Sequence, residues 1–220
     1  MFPRLNWPFS FPSLVAAIAL VAVVSMSGEV SAQPLYVEED WEVVIATPDP
    51  AGHAPQIITA MSSTDRLEDV HAIFELNHAT LPDYQAGGMG LQIWSGDTNL
   101  AHMVHPRTGV LQTENEVIRY KMTMRISNGV IKFEVKDGQS TTWGTGTWGT
   151  GGFYRQVSTS QTALYNYSPA TSAKFSKVAF AKHRVQKFAL KESRIYGPSG
   201  VLLSRDTTER IVHQLPAVVP

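Results

Sequence analysis

The stretch that decides the fold is Tyr120–Gly144, which reads YKMTMRISNGVIKFEVKDGQSTTWG. Apolar and polar residues alternate on both sides of Asn128-Gly129, a pattern typical of two strands that each bury one face. Asn-Gly is a favoured pair for a two-residue hairpin turn because both residues tolerate positive φ. The turn therefore predicts a register in which apolar side chains face each other and Arg125 lies opposite Lys132.

A second pair of the same kind follows at Asp137-Gly138. It predicts a three-stranded meander in which Trp143 lies beside Lys132. The outward face of this meander would carry charged and aromatic side chains, namely Arg119, Lys121, Arg125, Lys132, Glu134, Lys136 and Trp143. The next residues, WGTGTWGTGG over 143–152, are too rich in glycine for a continuous strand, so they predict a strand end and then a loop that carries Trp148.

Similar alternating runs recur along the chain, separated by clusters of Gly, Pro, Asn and Asp. Short strands with regular turn signals are typical of sandwiches and barrels. The sequence therefore predicts an all-β fold, an antiparallel jelly-roll-like β-sandwich of about ten to fourteen strands. We place this domain over residues 33–215, followed by a short tail over 216–220.

The first 32 residues have the features of an export signal. Arg4 precedes the apolar run LVAAIALVAVV, and Val30-Ser31-Ala32 supplies the small residues of a cleavage site. The apolar run is shorter than the ~20 residues that span a bilayer. The sequence therefore predicts a secreted protein, extracellular or periplasmic, with no membrane span after signal cleavage. An exported chain without cysteine fits a bacterial protein better than an animal one.

Charge is distributed unevenly along the chain. Residues 33–105 contain eleven acids and one base, whereas residues 106–220 contain sixteen Lys and Arg and seven acids. The favoured interpretation is that the two halves pack together and their charges largely cancel. The alternative is a basic surface for an anionic partner such as an acidic glycan. A net charge of −1 together with export argues against nucleic-acid binding.

Two segments resemble a known superfamily. Tyr120–Gly144 resembles the central meander of concanavalin A-like lectin/glucanase sandwiches of the laminin-G type, and Phe188–Leu203 is similar to their last strand, turn and return strand. Together they cover about a quarter of the chain after the signal. The resemblance implies a jelly-roll with a curved sheet whose concave face or rim loops bind a sugar. Because this fold hosts binding modules and enzymes alike, the resemblance implies no particular activity.

A short acidic motif offers an enzymatic alternative. Glu38-Glu39-Asp40-Trp41-Glu42 is similar to the E-x-D-x-E motif of glucanases of this fold. That resemblance implies Glu38 as nucleophile, Asp40 as its tuning residue and Glu42 as acid/base, and on a strand the three share one face. The motif lies close to the predicted cleavage site, and Glu39 and Trp41 stand where apolar residues are usual. We therefore interpret it as an exposed acidic N-terminal edge and predict no catalytic residue.

Gln92-Ile93-Trp94 is similar to the Q-I-H element of alginate-lyase sandwiches, but Trp94 stands where the catalytic His would be. The partner motif Y-x-K-x-G-x-Y is also missing from the sequence. Proton abstraction next to a uronate needs such a base and acid, so the sequence argues against lyase activity. Trp94 is instead predicted to be a core residue, with stacking on a sugar ring as the alternative.

No metal or cofactor site is predicted. The histidines offer no trio of convergent ligands for a transition metal. Oxygen ligands in loops, such as Asp83, Asp97 and Asn99, leave a structural calcium open as an alternative.

The sequence favours a secreted, non-catalytic carbohydrate-binding or surface-interaction module whose partner is a polysaccharide or cell-surface glycan. Its predicted ligand contacts combine aromatic and polar side chains: Trp143, Trp148, Arg119, Arg125, Lys132 and Glu134. Further aromatic candidates for stacking on a sugar ring are Tyr154 and Tyr165. A glycoside hydrolase that uses Glu38 and Glu42 is one alternative, and a structural envelope protein is another. The oligomeric state is left open.

Overall fold

The computed structural model describes residues 32–46, 55–77, 88–105, 111, 113–140, 144–145 and 153–216. Most of these residues lie in strands. The strands are β1 Tyr36–Ile45, β2 Ile57–Ser62, β3 Val70–Leu76, β4 Met89–Ser95, β5 Thr98–His105, β6 Val117–Ser127, β7 Val130–Ser140, β8 Gly144–Thr145, β9 Tyr154–Ser158, β10 Lys177–Val178, β11 Val185–Tyr196, β12 Leu202–Asp206 and β13 Arg210–Gln214. One short helix, α1, spans Pro169–Phe175, and single 3₁₀ turns cover Lys182–Arg184 and Pro198–Gly200.

The strands of the described residues form two antiparallel sheets. The larger, eight-stranded sheet has the order β12-β11-β1-β6-β7-β8, with β13 also pairing β11 and β9 also pairing β7. The smaller, five-stranded sheet has the order β10-β2-β3-β4-β5. The predicted all-β antiparallel sandwich is therefore confirmed. No helix in the described part of the chain has the length and apolar character that crossing a membrane requires.

The core lies between the two sheets. Alternate residues of the central strands point inward, as period-two geometry requires, and aromatic rings fill the centre of the layer. Trp41 packs on Phe188 with ring centroids 5.2 Å apart, and Phe74 meets Tyr120 edge-on at 5.1 Å. The Tyr120 hydroxyl is hydrogen-bonded to Thr59 of the opposite sheet, so a polar contact joins the two layers inside the core.

The predicted hairpin between β6 and β7 is confirmed. Asn128 and Gly129 both have positive φ, 51° and 72°, as a two-residue turn of this kind requires. Ser127 pairs with Val130, and Arg125 pairs with Lys132 on the outward side. The local turn chemistry and the alternating pattern together specify this register.

The second predicted hairpin, at Asp137-Gly138, is wrong. Only Asp137 has positive φ, 54°, whereas the turn needs it at both residues. The pair forms a bulge, because β7 continues to Ser140 while its register against β6 shifts between Arg119 and Lys121. Beyond the bulge, β8 pairs with Gln139 and Ser140, whereas β9 pairs with Val130–Glu134 in the first half of β7.

That correction changes the neighbours of the predicted meander face. Gln156 of β9 pairs with Lys132, and Tyr154 pairs with Glu134. Gln156 therefore takes the place beside Lys132 that the predicted hairpin assigned to Trp143. The side chains of Trp143 and Trp148 lie outside the described residues.

The prediction that Trp94 is a core residue is also wrong. Met89, Leu91 and Ile93 are the inward residues of β4, so strand alternation turns Trp94 to the outward face of the smaller sheet, where it is half-buried. Trp94 lies between apolar Ile93 and polar Ser95. The alternation of side chains along β4 decides that it points outward.

Strand β1 is not an edge. It lies between β11 and β6, paired with both over nearly its whole length. The interpretation of residues 38–42 as an exposed acidic N-terminal edge is therefore wrong. Glu38, Asp40 and Glu42 do share one face, as expected, but that face is the middle of the larger sheet.

Glu39 points from β1 into the core and is completely buried. Its carboxylate oxygens accept hydrogen bonds from Trp41 Nε1 at 3.0 Å and from the Tyr167 hydroxyl at 2.7 Å. Burial raises the pKa of Glu39 to about 7, against the opposing effect of these hydrogen bonds. The carboxyl therefore changes its protonation state near neutral pH inside the folded protein.

This raised pKa predicts a pH-dependent stability. The folded protein binds the Glu39 proton more tightly than the unfolded chain, whose pKa is near 4.5. The stabilising effect is therefore complete below pH 4.5 and is lost as the pH rises to about 7. We expect the free energy of unfolding of the wild type, relative to Glu39→Gln, to fall by about 3 kcal/mol over this range in urea titrations. An equal pH dependence in both proteins would contradict the assignment.

Candidate functional site

The outward face of the larger sheet is built from four rows of side chains that cross β1, β6 and β7. Each row takes one outward residue from each strand, as the pairing register places them. The rows are Tyr36–Arg125–Lys132, Glu38–Thr123–Glu134, Asp40–Lys121–Lys136 and Glu42–Arg119–Gln139. Four of the predicted ligand contacts, Arg119, Arg125, Lys132 and Glu134, thus lie on one face of one sheet.

The first two rows bring cations over aromatic rings. The Arg125 guanidinium carbon lies 4.5 Å from the centroid of the Tyr36 ring, and Lys132 Nζ lies 4.2 Å from that of Tyr154. Lys132 also binds Glu134 Oε2 at 2.9 Å. Tyr154 remains 39% exposed, so this end of the face presents an aromatic ring whose neighbour fixes its position.

Glu38 is the most highly coordinated carboxylate of the face. It accepts hydrogen bonds from four groups: the hydroxyls of Tyr36 and Tyr196, Lys136 Nζ and Arg194 Nε. Partial burial alone would raise its pKa, but the hydrogen bonds and the charge of Lys136 outweigh burial and lower the pKa to about 2. Glu38 is therefore held in its ionised form by its hydrogen-bond donors.

Arg194 of β11 joins the acids of this region. Its guanidinium binds Glu38 at 3.1 Å and Asp40 at 2.9 Å, and it also contacts Glu192. Arg194 is only 17% exposed, so solvent screens these contacts weakly. Glu38 and Asp40 come from the acidic half of the chain and Arg194 from the basic half, so these ion pairs join the two halves, in line with the favoured interpretation of the charge distribution.

A cleft of about 660 Å³ opens over the last two rows. It is lined by Asp40, Trp41, Glu42, Arg119, Tyr120, Lys121, Asp137, Gly138, Gln139 and Lys191. Three of these side chains are acids and three are bases. Arg119 binds Glu42 Oε2 at 2.8 Å, and Lys121 Nζ binds Asp137 Oδ2 at 2.8 Å, so the charged groups of the lining compensate each other.

Two strand irregularities shape this cleft. The β1–β11 register shifts between Asp40 and Trp41, and the β6–β7 register shifts at the Asp137-Gly138 bulge. Bulges bend a strand and redirect its side chains, and here they stand on the two sides of the lining. The sequence predicts a turn at Asp137-Gly138 where the structure has a bulge. No sequence feature predicts the β1–β11 register shift next to Asp40.

The arrangement of Glu38 and Glu42 bears on the enzymatic alternative. A glycosidase needs two carboxyls that flank the scissile bond, about 5–9 Å apart. Four residues along a strand separate the Cα atoms of these glutamates by about 13 Å. Glu38 is held by its four hydrogen-bond donors, and Glu42 lies between Arg119 and Lys191, whose Nζ is 3.8 Å from its Oε1. Each glutamate is thus engaged in its own set of ion pairs.

The remaining predicted features are placed as follows. The described residues contain no group of three or more His, Asp or Glu side chains arranged to hold a metal ion. Asp97 and Asn99 are exposed at the β4–β5 turn, and Asp83 lies outside the described residues. Tyr165 is 63% exposed in the segment before α1.

Removing the shared cation tests the role of Arg194. In Arg194→Gln the acids Glu38, Asp40 and Glu192 lose a partly buried partner, and we expect unfolding in urea to become easier by about 2 kcal/mol. Arg205→Gln is the matched control, since Arg205 also binds Glu192 but is 58% exposed. It should cost about 0.5 kcal/mol or less. Equal losses in the two variants would show that Arg194 is an ordinary surface ion pair.

No family model matches the chain, and no curated protein matches its sequence.

Proposed function

We propose that this chain is an exported carbohydrate-binding domain and that the cleft over Asp40, Glu42, Arg119 and Gln139 binds a neutral oligosaccharide. The observation that carries the proposal is the lining itself, a wide cleft on the face of a sheet with balanced charge and many polar groups. Most small-molecule sites are largely apolar with a few polar groups. Here seven of the ten described lining residues have a charged or amide side chain, which suits a ligand that is itself rich in hydroxyls.

The side chains of the cleft suit hydroxyl recognition. Carboxylates accept hydrogen bonds, guanidinium and ammonium groups donate them, and a primary amide does both. Asp40, Arg119 and Gln139 therefore offer both kinds of partner to vicinal hydroxyls within one cleft. Because Arg119 is fixed by Glu42 at 2.8 Å, its orientation is set before a ligand arrives and less entropy is lost on binding.

The pairing of charges favours a neutral sugar over an acidic one. Arg119, Lys121 and Lys132 each have a carboxylate partner within 2.9 Å. An anionic ligand would have to compete with these carboxylates, and a displaced acid would lose its own partner. The earlier alternative of a basic surface for a uronate or sulfated glycan is therefore disfavoured on this face.

The face is long enough for more than one sugar ring. Tyr154 of β9 continues the row of Glu38. This row and the row of Glu42 are four residues apart along the strands, or about 13 Å. Tyr154 is exposed and offers a stacking surface at the far end of this path. A ligand chain could thus bind by hydrogen bonds in the cleft and by stacking at Tyr154.

The likeness to concanavalin A-like, laminin-G-type sandwiches belongs to the same proposal. The antiparallel two-sheet architecture is compatible with it, and so is a ligand on the outward face of the larger sheet. Export, inferred from the signal-like features of residues 1–32, would place the domain where polysaccharides and cell-surface glycans occur.

Binding is tested by screening the protein, expressed from residue 33 onward, on a glycan array and titrating the best neutral oligosaccharide by calorimetry. Gln139 is exposed and lines the cleft, so Gln139→Ala should leave the fold intact and weaken binding about fivefold. Lys177→Ala, an exposed position of β10 in the other sheet, is the matched control and should bind like the wild type.

Two outcomes would contradict the proposal. Binding to no glycan at all would leave the structural envelope protein as the better interpretation. Equal affinity in Gln139→Ala and the wild type would move the site away from the cleft. Trp143→Ala and Trp148→Ala in the same titration test the remaining predicted contacts.

The hydrolase alternative is supported by the shared outward face of Glu38, Asp40 and Glu42. We expect the wild type to release no reducing ends from the oligosaccharide that it binds, because Glu38 is fully occupied by hydrogen bonds and both glutamates are ion-paired. A reducing-sugar assay measures this directly. If the wild type releases reducing ends and Glu42→Gln does not, hydrolysis is established and the non-catalytic proposal is overturned.

A further inference from the structure

The smaller sheet has a groove of its own, on its outward face between β4 and β5. The groove has a volume of about 260 Å³. It is lined by Gln92, Trp94, Asn99, His102, Met103 and Val104. None of these residues lines the cleft of the larger sheet, and the two outward faces lie on opposite sides of the core.

Trp94 is held in this groove by a relay of hydrogen bonds. Its indole Nε1 donates to Gln92 Oε1 at 3.1 Å, and Gln92 Nε2 donates to Glu75 Oε2 at 3.2 Å. Asn99 Nδ2 donates to the same Gln92 oxygen at 3.4 Å. Three strands thus fix the indole, which is half-buried and keeps part of its surface exposed.

A register shift creates room beside the indole. Ile93 pairs with Ala101 but Trp94 pairs with Asn99, so Leu100 is the extra residue of a bulge in β5. Such bulges bend the strand and turn its side chains aside. Asn99 and His102, both exposed, flank the space that this leaves along Trp94.

We propose that the Trp94 groove is a second binding site, for a single neutral pyranose ring that stacks on the indole and hydrogen-bonds Asn99 and His102. A fixed aromatic face with polar groups at its rim presents an apolar surface to the C–H side of the ring and polar partners to its hydroxyls. The volume is below that of sites for drug-sized ligands, which suits one ring better than a chain.

The chemistry of the groove also argues for a neutral ligand. The described residues of its lining include no Asp, Glu, Lys or Arg, and the neighbouring carboxylate of Glu75 is engaged with Gln92. An ionic ligand would find no opposite charge in the lining to compensate the loss of its hydration. This site does not depend on the cleft, and it would exist even if the cleft bound nothing.

With both sites active, the domain would be bivalent. The cleft would bind along one glycan chain while the Trp94 groove binds a terminal or branch residue of another on the opposite side. Two linked sites raise the overall affinity for a polymer well above that of either alone.

The test follows the indole N–H resonance of Trp94 by NMR, assigned with Trp94→Phe, while methyl glycosides of glucose, galactose and mannose are added. We expect at least one glycoside to shift this resonance in a saturable way. Asn99→Ala keeps the indole probe and should weaken that binding about fivefold, whereas Gln139→Ala on the other sheet should leave it unchanged.

The outcomes separate this site from the cleft. A Trp94 resonance that no glycoside shifts would overturn the second site, while oligosaccharide binding sensitive to Gln139→Ala would stand. A shift that Asn99→Ala leaves unaltered would also overturn the proposed geometry. Saturable shifts that persist in Gln139→Ala and weaken in Asn99→Ala would support a separate site.

Discussion

The insertion of β1 between β6 and β11 is the constraint on which the rest of the larger sheet depends. The strand comes from the acidic half of the chain and both of its neighbours come from the basic half. Its outward acids therefore meet Arg119, Lys136, Lys191 and Arg194 in register. A register slip of one residue would turn Glu38, Asp40 and Glu42 into the core and expose Trp41. Ion pairs on the outward face and packing on the inward face therefore specify the same register.

The same strand carries buried acid on one face and ion-paired acids on the other. Its inward residues include Glu39, whose carboxyl is tied to Trp41 and Tyr167 in the core, whereas its outward residues end in solvent or in the cleft. Charge on the inward side is costly because it is buried. Charge on the outward side is compensated by neighbours, and this is what allows a dense set of polar groups to stand on one face without net repulsion.

Local patterns predicted the fold well where the interactions are local. The Asn128-Gly129 hairpin follows from two residues and their flanking alternation. Asp137-Gly138 is a residue pair of the same kind, yet it forms no hairpin turn. The strands that follow it, β8 and β9, pair with the other edge of β7, and no local sequence pattern predicts this pairing. The pairing of β9 with β7 and of β13 with β11 joins segments that are not connected by a tight turn, so no local sequence pattern predicts it.

The candidate site was predicted in part for the same reason. Arg119, Arg125, Lys132 and Glu134 share a face because strand parity alone places them there. Their partners Glu42, Tyr36 and Tyr154 come from strands distant in sequence, so the acids that neutralise the basic face could not be assigned to it. For Trp94 the alternation with Met89, Leu91 and Ile93 already indicates an outward side chain, although the apolar neighbour Ile93 favours a core position.

Neutralisation is what distinguishes the two classes of ligand for the larger sheet. A basic face attracts anions through its net field, whereas a face of matched pairs has little net field and offers directional hydrogen bonds instead. In the cleft, a ligand that breaks an ion pair would leave one of its two groups without that partner. If a ligand carboxylate bound Arg119, Glu42 would keep only Lys191, whose Nζ is 3.8 Å away. A hydroxyl can donate to Glu42 and accept from Arg119 without separating them. Binding a neutral polyhydroxylated chain therefore costs the sheet none of the ion pairs that hold β1 in place.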